Sequence, residues 1–171
     1  VAIGAPNNDG GGEDAGHVRV YEYSGGDWVQ IGNDIDGEAE GDSFGSAVSL
    51  SSNGTIVAIG AIGNDGSGED AGHVRVYEGS GSDWVQIGSN IDGEAEGNWS
   101  GYSIEMNSNG MILAIGSINN IGNGNNAGHV RVFEFSGSDW VQLGGDIDAE
   151  AEGDGSGWSV SLSSDGTIVA I

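Results

Sequence analysis

Val1-Ala2-Ile3-Gly4-Ala5 returns as Val57-Ala58-Ile59-Gly60-Ala61 and, slightly altered, as Leu113-Ala114-Ile115-Gly116-Ser117. The spacing is 56 residues, and residues 1–56 match residues 57–112 at 39 of 56 positions. Self-similarity at such a period marks one supersecondary unit that cannot bury its apolar face alone and stacks on copies of itself. The chain reads as a single repeat domain, 1–171, with repeats 1–56, 57–112 and 113–168, and Val169-Ala170-Ile171 opening a fourth copy. Because Val1 enters in mid-pattern with neither an initiator Met nor a leader, the expectation is an excised or processed segment of a longer chain.

Within one period, Ser46–Leu50 reads as a strand, Ser52-Asn53-Gly54 as a tight turn and Thr55–Ala61 as the returning strand. A loop of about ten residues follows. Then Gly72-His73-Val74-Arg75-Val76-Tyr77-Glu78 alternates with period two, and Gly79–Ser82 turns it into Asp83–Gly88. Four short antiparallel strands per repeat predict an all-β fold of β-propeller blades; a β-trefoil is the alternative, which the long period disfavours. Three blades are too few to close a ring, so the expected partners are the chain itself or adjoining repeats. Strand sharing would join them, because the ends are offset: the chain starts on a second strand, and residues 158–171 supply a first strand and a duplicate second.

Composition supports the fold class. Val and Ile number 30 against 4 Leu, lysine is absent, and 35 glycines punctuate the chain, which disfavours helix. Val, Ile, Leu and Phe together supply only 37 of 171 residues, close to the range in which charged chains stay disordered, so the repeat must organise the core. A net charge of −24 excludes an electrostatic nucleic-acid binder and disfavours anionic membrane surfaces. No apolar run is long enough to span a bilayer as a helix, so no membrane insertion is expected. Without cysteine there is neither a disulfide framework nor a thiolate site.

Phe44-Gly45 at the start of one strand pair, Gly4-Ala5-Pro6 at the end of the pair one repeat earlier, and the following Gly-His-Val-Arg-Val-Tyr strand resemble the FG-GAP repeats of integrin α-subunit β-propellers. The resemblance spans all three repeats and implies an extracellular or cell-surface propeller. It departs in detail, because Ser100 and Ser156 stand at the Phe position and Ile62 and Ile118 at the Pro position. The family's calcium loop, an Asp-rich hairpin between the first two strands, is replaced here by Ser51-Ser52-Asn53-Gly54-Thr55 and its counterparts. The calcium role therefore does not carry over to that turn.

Acid collects elsewhere. In blade geometry the second-to-third loop and the loop leading to the next blade emerge on one face, which receives Asp34, Asp36, Glu38, Glu40 and Asp42 from the first repeat. Alternate carboxylates on an extended chain would share one side and invite a cation, so calcium is the candidate ion. The corresponding candidates are Asp92, Glu94 and Glu96 in the second repeat and Asp146, Asp148, Glu150 and Glu152 in the third. A solvated acidic loop is the simpler account, and Asn90 and Asn98 thin the second set. No cofactor is required by any motif.

Gly10-x-Gly12-x-x-Ala15 and its copies mimic a dinucleotide fingerprint, but a period-two strand rather than a helix follows, and Glu13 and Asp14 would repel a pyrophosphate. His17, His73 and His129, with Arg19, Arg75 and Arg131, recur once per repeat, as do Trp28, Trp84 and Trp140. Recurrence points to packing between repeats, since an active site is a singular constellation. Trp99, Tyr102 and Trp158 vary between copies and read either as exposed platforms for sugars or as packing residues. Sequons at Asn53-Gly54-Thr55 and Asn98-Trp99-Ser100 both fall in segments expected to be exposed, which makes Asn53 and Asn98 candidate glycosylation sites.

These features favour a noncatalytic extracellular scaffold, structural or adhesive, forming part of a larger propeller or a head-to-tail fibre. The alternative is a calcium-dependent module recognising a glycan or protein ligand through its acidic face.

Overall fold

The computed structural model describes residues 1–171 and contains no helix, only strands, turns and loops. The first sheet holds β1 (Ala2–Ala5), β2 (His17–Ser24), β3 (Asp27–Gln30) and β4 (Ile35–Asp36). The second is the complete unit: β5 (Phe44–Leu50), β6 (Ile56–Ala61), β7 (His73–Gly79) and β8 (Trp84–Gln86) in that order, with β9 (Ile91–Asp92) also on β7. The third repeats it with β10 (Ser100–Met106), β11 (Ile112–Ser117), β12 (His129–Phe135), β13 (Trp140–Gln142) and β14 (Ile147–Asp148). β15 (Ser161–Leu162) and β16 (Val169–Ala170) form a two-stranded remainder. All pairings within the sheets are antiparallel, and no sheet closes into a barrel.

The expected fourth strand is split. β8 pairs with the far half of β7 (Tyr77 opposite Gln86), and after Gly88, at φ 74°, β9 pairs with the near half (His73 opposite Asp92). The extra residues between the two pieces throw the strand off β7, which period-two reasoning on Asp83–Gly88 did not reveal.

The core lies between sheets. β6 is buried at every position, because Val57 and Ile59, with Phe44 of β5, pack towards Val18 and Ile35 of the first sheet, while Ile56 and Ala58 pack towards the third with Ile104, Leu113, Phe133 and Trp140. Successive side chains on a strand point to opposite faces, so a strand sandwiched on both faces reads as the near-continuous apolar run Ile56–Ala61.

Backbone contact fixes how one sheet meets the next. β5 bulges between Phe44 and Ala47, placing Gly45 at φ 92° with its backbone against Gly4. A Cβ at Gly4 would collide with the Gly45 carbonyl oxygen, and the same collision recurs between Gly60 and Gly101 and between Gly116 and Gly157. Parallel bridges Gly16–Phe44, Gly72–Ser100 and Gly128–Ser156 lock the same junctions. At the hairpin tips, Ser52 N donates to Ser108 O at 2.9 Å and Ser108 N to Ser164 O at 3.0 Å, a bond from each repeat to the equivalent residue of the next.

Candidate functional site: the acidic junctions between repeats

The long loop after β1 and the acidic loop before β5 run side by side. Gly41 N donates to Glu13 O at 2.9 Å, Ser43 N to Asp14 O at 3.0 Å and Phe44 N to Ala15 O at 3.0 Å, and the pattern recurs at Gly97, Trp99 and Ser100. The acid of each repeat is thus gathered at one end of its sheet.

The carboxylates do not share one side of an extended chain. Only Ile35–Asp36 is strand, and the backbone bends and turns over residues 38–41. Asp34 accepts Arg19 Nε at 3.0 Å, Arg19 Nη2 at 2.8 Å and Gln30 Nε2 at 2.7 Å. These bonds, led by Arg19, hold its pKa down at about 2. Asp36 lies opposite His17, Asp92 opposite His73 and Asp148 opposite His129 in the strand register. Glu38 pairs with Arg75 of the next repeat at 3.2 Å. Asp42 is buried, its Oδ2 accepting Ala39 N at 3.1 Å and its Oδ1 accepting Asn64 Nδ2 at 3.2 Å. Glu40, Glu96 and Glu150 are exposed, and Glu152, also exposed, accepts Asn125 Nδ2 at 3.3 Å. Much of the acid is therefore distributed among protein donors, because the turn separates residues that a straight chain would align.

The histidines and arginines lie beside this acid, one sheet edge at a time. Arg75 donates to Asp36 O at 3.3 Å across the junction and lies over the Phe44 ring at 4.4 Å. Arg131 donates to Asp92 O at 2.8 Å and lies 3.9 Å from Glu94. His73 and His129 are buried with both ring nitrogens unpartnered. Burial, reinforced by Arg75, pushes the His73 imidazole down to about 4. Burial also lowers His129, against the opposing pull of Glu94. At the second-to-third junction, donor atoms of Glu94, His129 and Asp146 lie within 4.8 Å of one another. Assigning His129 to packing alone missed this grouping; the available signal was the fixed His-x-Arg spacing beside acid in every repeat.

Two of the three recurrent tryptophans bridge sheets, as their recurrence implies. Trp84 Nε1 donates to Ile31 O at 3.1 Å and Trp140 Nε1 to Ile87 O at 3.0 Å. Gly32 and Gly88, both at positive φ, leave the room that each indole fills. Tyr102 and Trp158, equivalent residues of successive repeats, pack ring to ring at 5.1 Å, with Trp158 exposed. Trp99 is half-buried at φ 53°.

The two sequons differ in access. Asn53 is exposed at its hairpin tip, where its Oδ1 accepts Thr55 Oγ1 at 2.8 Å. Asn98 is buried instead of exposed: it occupies the place of Asp42 under the turn, and its Oδ1 accepts Asn120 Nδ2 at 3.2 Å.

No curated protein matches the sequence. Residues 35–77, from β4 through β5 and β6 into β7, match the family model described as the FG-GAP repeat. The matched segment contains Phe44-Gly45 and Gly60-Ala61, whose glycine backbones meet the neighbouring sheets. FG-GAP repeats are typical of propeller-type extracellular and adhesion-related domains, generally noncatalytic ones. The chain accordingly carries an FG-GAP repeat over residues 35–77, and with it the signature of that repeat family.

Proposed function

We propose that this protein is a noncatalytic extracellular scaffold whose repeats stack end to end, both within the chain and onto further copies. One observation supports the reading above others. The same side chain passes from 56% exposed at Trp28, through half-buried Trp84, to 9% exposed at Trp140, as a preceding repeat becomes available to receive it. Ile3 behaves likewise, being 52% exposed where Ile59 and Ile115 are fully buried. At the opposite end, Gly144 has open space where Gly32 and Gly88 hold an indole, and Leu143, the counterpart of Ile31 and Ile87, is exposed. Each repeat thus seats the indole of the repeat that follows it, a heterologous pairing that extends a row of repeats rather than closing on itself as a dimer.

Sedimentation velocity over a range of concentrations tests this. The expected result is concentration-dependent growth into linear oligomers, lost in Trp28→Ala. A wild-type chain that stays monomeric at millimolar concentration would refute the reading. The adjoining acidic loops favour a second reading, calcium-dependent recognition of a glycan or protein through that face. It fails if calcium changes neither ligand capture on a glycan array nor unfolding temperature.

A further inference from the structure

The second-to-third junction differs from the first in one position that matters chemically. His129 is 1% exposed at its side chain, and its Nδ1 faces Glu94 Oε2 at 3.8 Å and Asp146 Oδ2 at 3.9 Å without a hydrogen-bond partner. Each carboxylate also has further partners. Asp146 Oδ1 accepts Gln142 Nε2 at 2.7 Å, leaving Oδ2 towards the imidazole. Glu94 Oε1 lies 3.9 Å from Arg131, while its Oε2 accepts Asn120 Nδ2 at 3.4 Å. In the first-to-second junction the place of Asp146 is taken by Asn90, and Arg75 draws in to 3.2 Å from Glu38. In the first sheet, Arg19 and Gln30 occupy both oxygens of Asp34.

We propose that Glu94, His129 and Asp146 bind one transition-series divalent cation, with zinc as the type ion, clipping the second repeat to the third. One imidazole nitrogen with two carboxylate oxygens is a donor set for zinc and its neighbours, whereas calcium takes oxygen ligands alone. Three protein ligands leave a position for water. Bonds of about 2.0–2.2 Å require donors somewhat closer than they stand, and Glu94, 41% exposed at its side chain, has room to swing in. The bound cation would offset the charge of the two carboxylates and give the buried Nδ1 the partner it lacks. The nearby Arg131 and Asp148 act in opposite senses, the first opposing a cation and the second attracting it.

Isothermal titration of the full 171-residue chain with zinc chloride tests the site. Asp146→Asn copies the arrangement that the second repeat already has at Asn90, and Glu94→Gln alters an exposed side chain, so both variants should fold. The expected result is one zinc ion per chain, bound at least about tenfold more weakly by each variant, and not displaced by a tenfold excess of calcium. Zinc should also raise the unfolding temperature of the wild type but not of Asp146→Asn. Absence of saturable one-to-one binding would overturn the proposal. So would binding unchanged in both variants, or displacement by calcium, since either marks diffuse association with surface carboxylates.

Discussion

The indole nitrogen of Trp84 donates to the carbonyl oxygen of Ile31 at 3.1 Å, across 53 residues of chain and from one sheet to the next. The bond recurs between Trp140 and Ile87 at 3.0 Å. Each joins the outer part of one sheet to its predecessor, while Gly60 against Gly101 and Ser52 against Ser108 join the second and third sheets at other points. Repeats in this chain are therefore coupled at several places along the sheet.

Replacing Trp140 by Phe keeps an aromatic ring but removes the donor to Ile87 O. Urea unfolding should show a loss of about 1 to 2 kcal/mol. Trp28→Phe should cost less than about 0.5 kcal/mol, because Trp28 is exposed and bonds to no carbonyl. Equal losses at the two positions would contradict a junction role.

Gly60→Ala places a methyl group against the Gly101 backbone, with no flexible side chain available to yield. A loss of about 2 to 3 kcal/mol is expected from overpacking. At Gly54, where φ is 72° and nothing lies within 4 Å, only the left-handed backbone resists alanine, at about 1 kcal/mol. Thermal unfolding of the two variants should rank them in that order.

Arg75→Met removes the donor to Asp36 O and the partner of Glu38 while keeping much of the packing over Phe44. The expected cost is about 2 kcal/mol. Arg19→Met, which breaks a half-buried pair within the first sheet, should cost less than Arg75→Met. A double-mutant cycle of Arg75 with Glu38 would then give a coupling energy that reports on the junction itself.

His73 should titrate at about 4 in the folded protein, well below its ordinary 6.5, because burial and Arg75 both disfavour the imidazolium. Between those values the unfolded chain binds more protons than the folded one. The contribution of His73 to stability is therefore fully present above pH 6.5 and falls away as pH drops towards 4. Following the ring-proton shifts of His73 by NMR checks this directly, and a midpoint near 6.5 would reject the buried, neutral assignment.

A net charge of −24 on a chain this small means strong self-repulsion. Sodium chloride from low to about 1 M, where the Debye length shrinks to about 3 Å, should raise the unfolding temperature steadily. Scanning calorimetry that finds no rise would show that the acid is already neutralised locally.

The repeat, the strand class and the hairpin turns were legible because each follows from local patterning. Asn53-Gly54 closes a hairpin, and His73–Glu78 alternates because one strand presents two faces. The recurrence of Trp and Arg correctly pointed to contacts between copies. Asn98 and the split fourth strand were not legible. The first is buried because Asn120 of the following repeat packs over it and donates to its Oδ1, and the second depends on how residues 88–90 leave the sheet.

By itself, the sequence determined the architecture at the level of one repeat: a period of 56, an all-β composition and a tight turn at Asn53-Gly54. Periodicity and backbone stereochemistry act locally and survive translation from copy to copy. Only the tertiary structure decided what each repeated residue does, because its partners change from copy to copy and some are supplied by a neighbouring copy. Asp34, Asn90 and Asp146 occupy one sequence position, yet the first is held by Arg19, the second answers Gln86, and the third turns towards His129 and Glu94. Charge and coordination depend on distances across the junction, and those are set by how whole sheets stack.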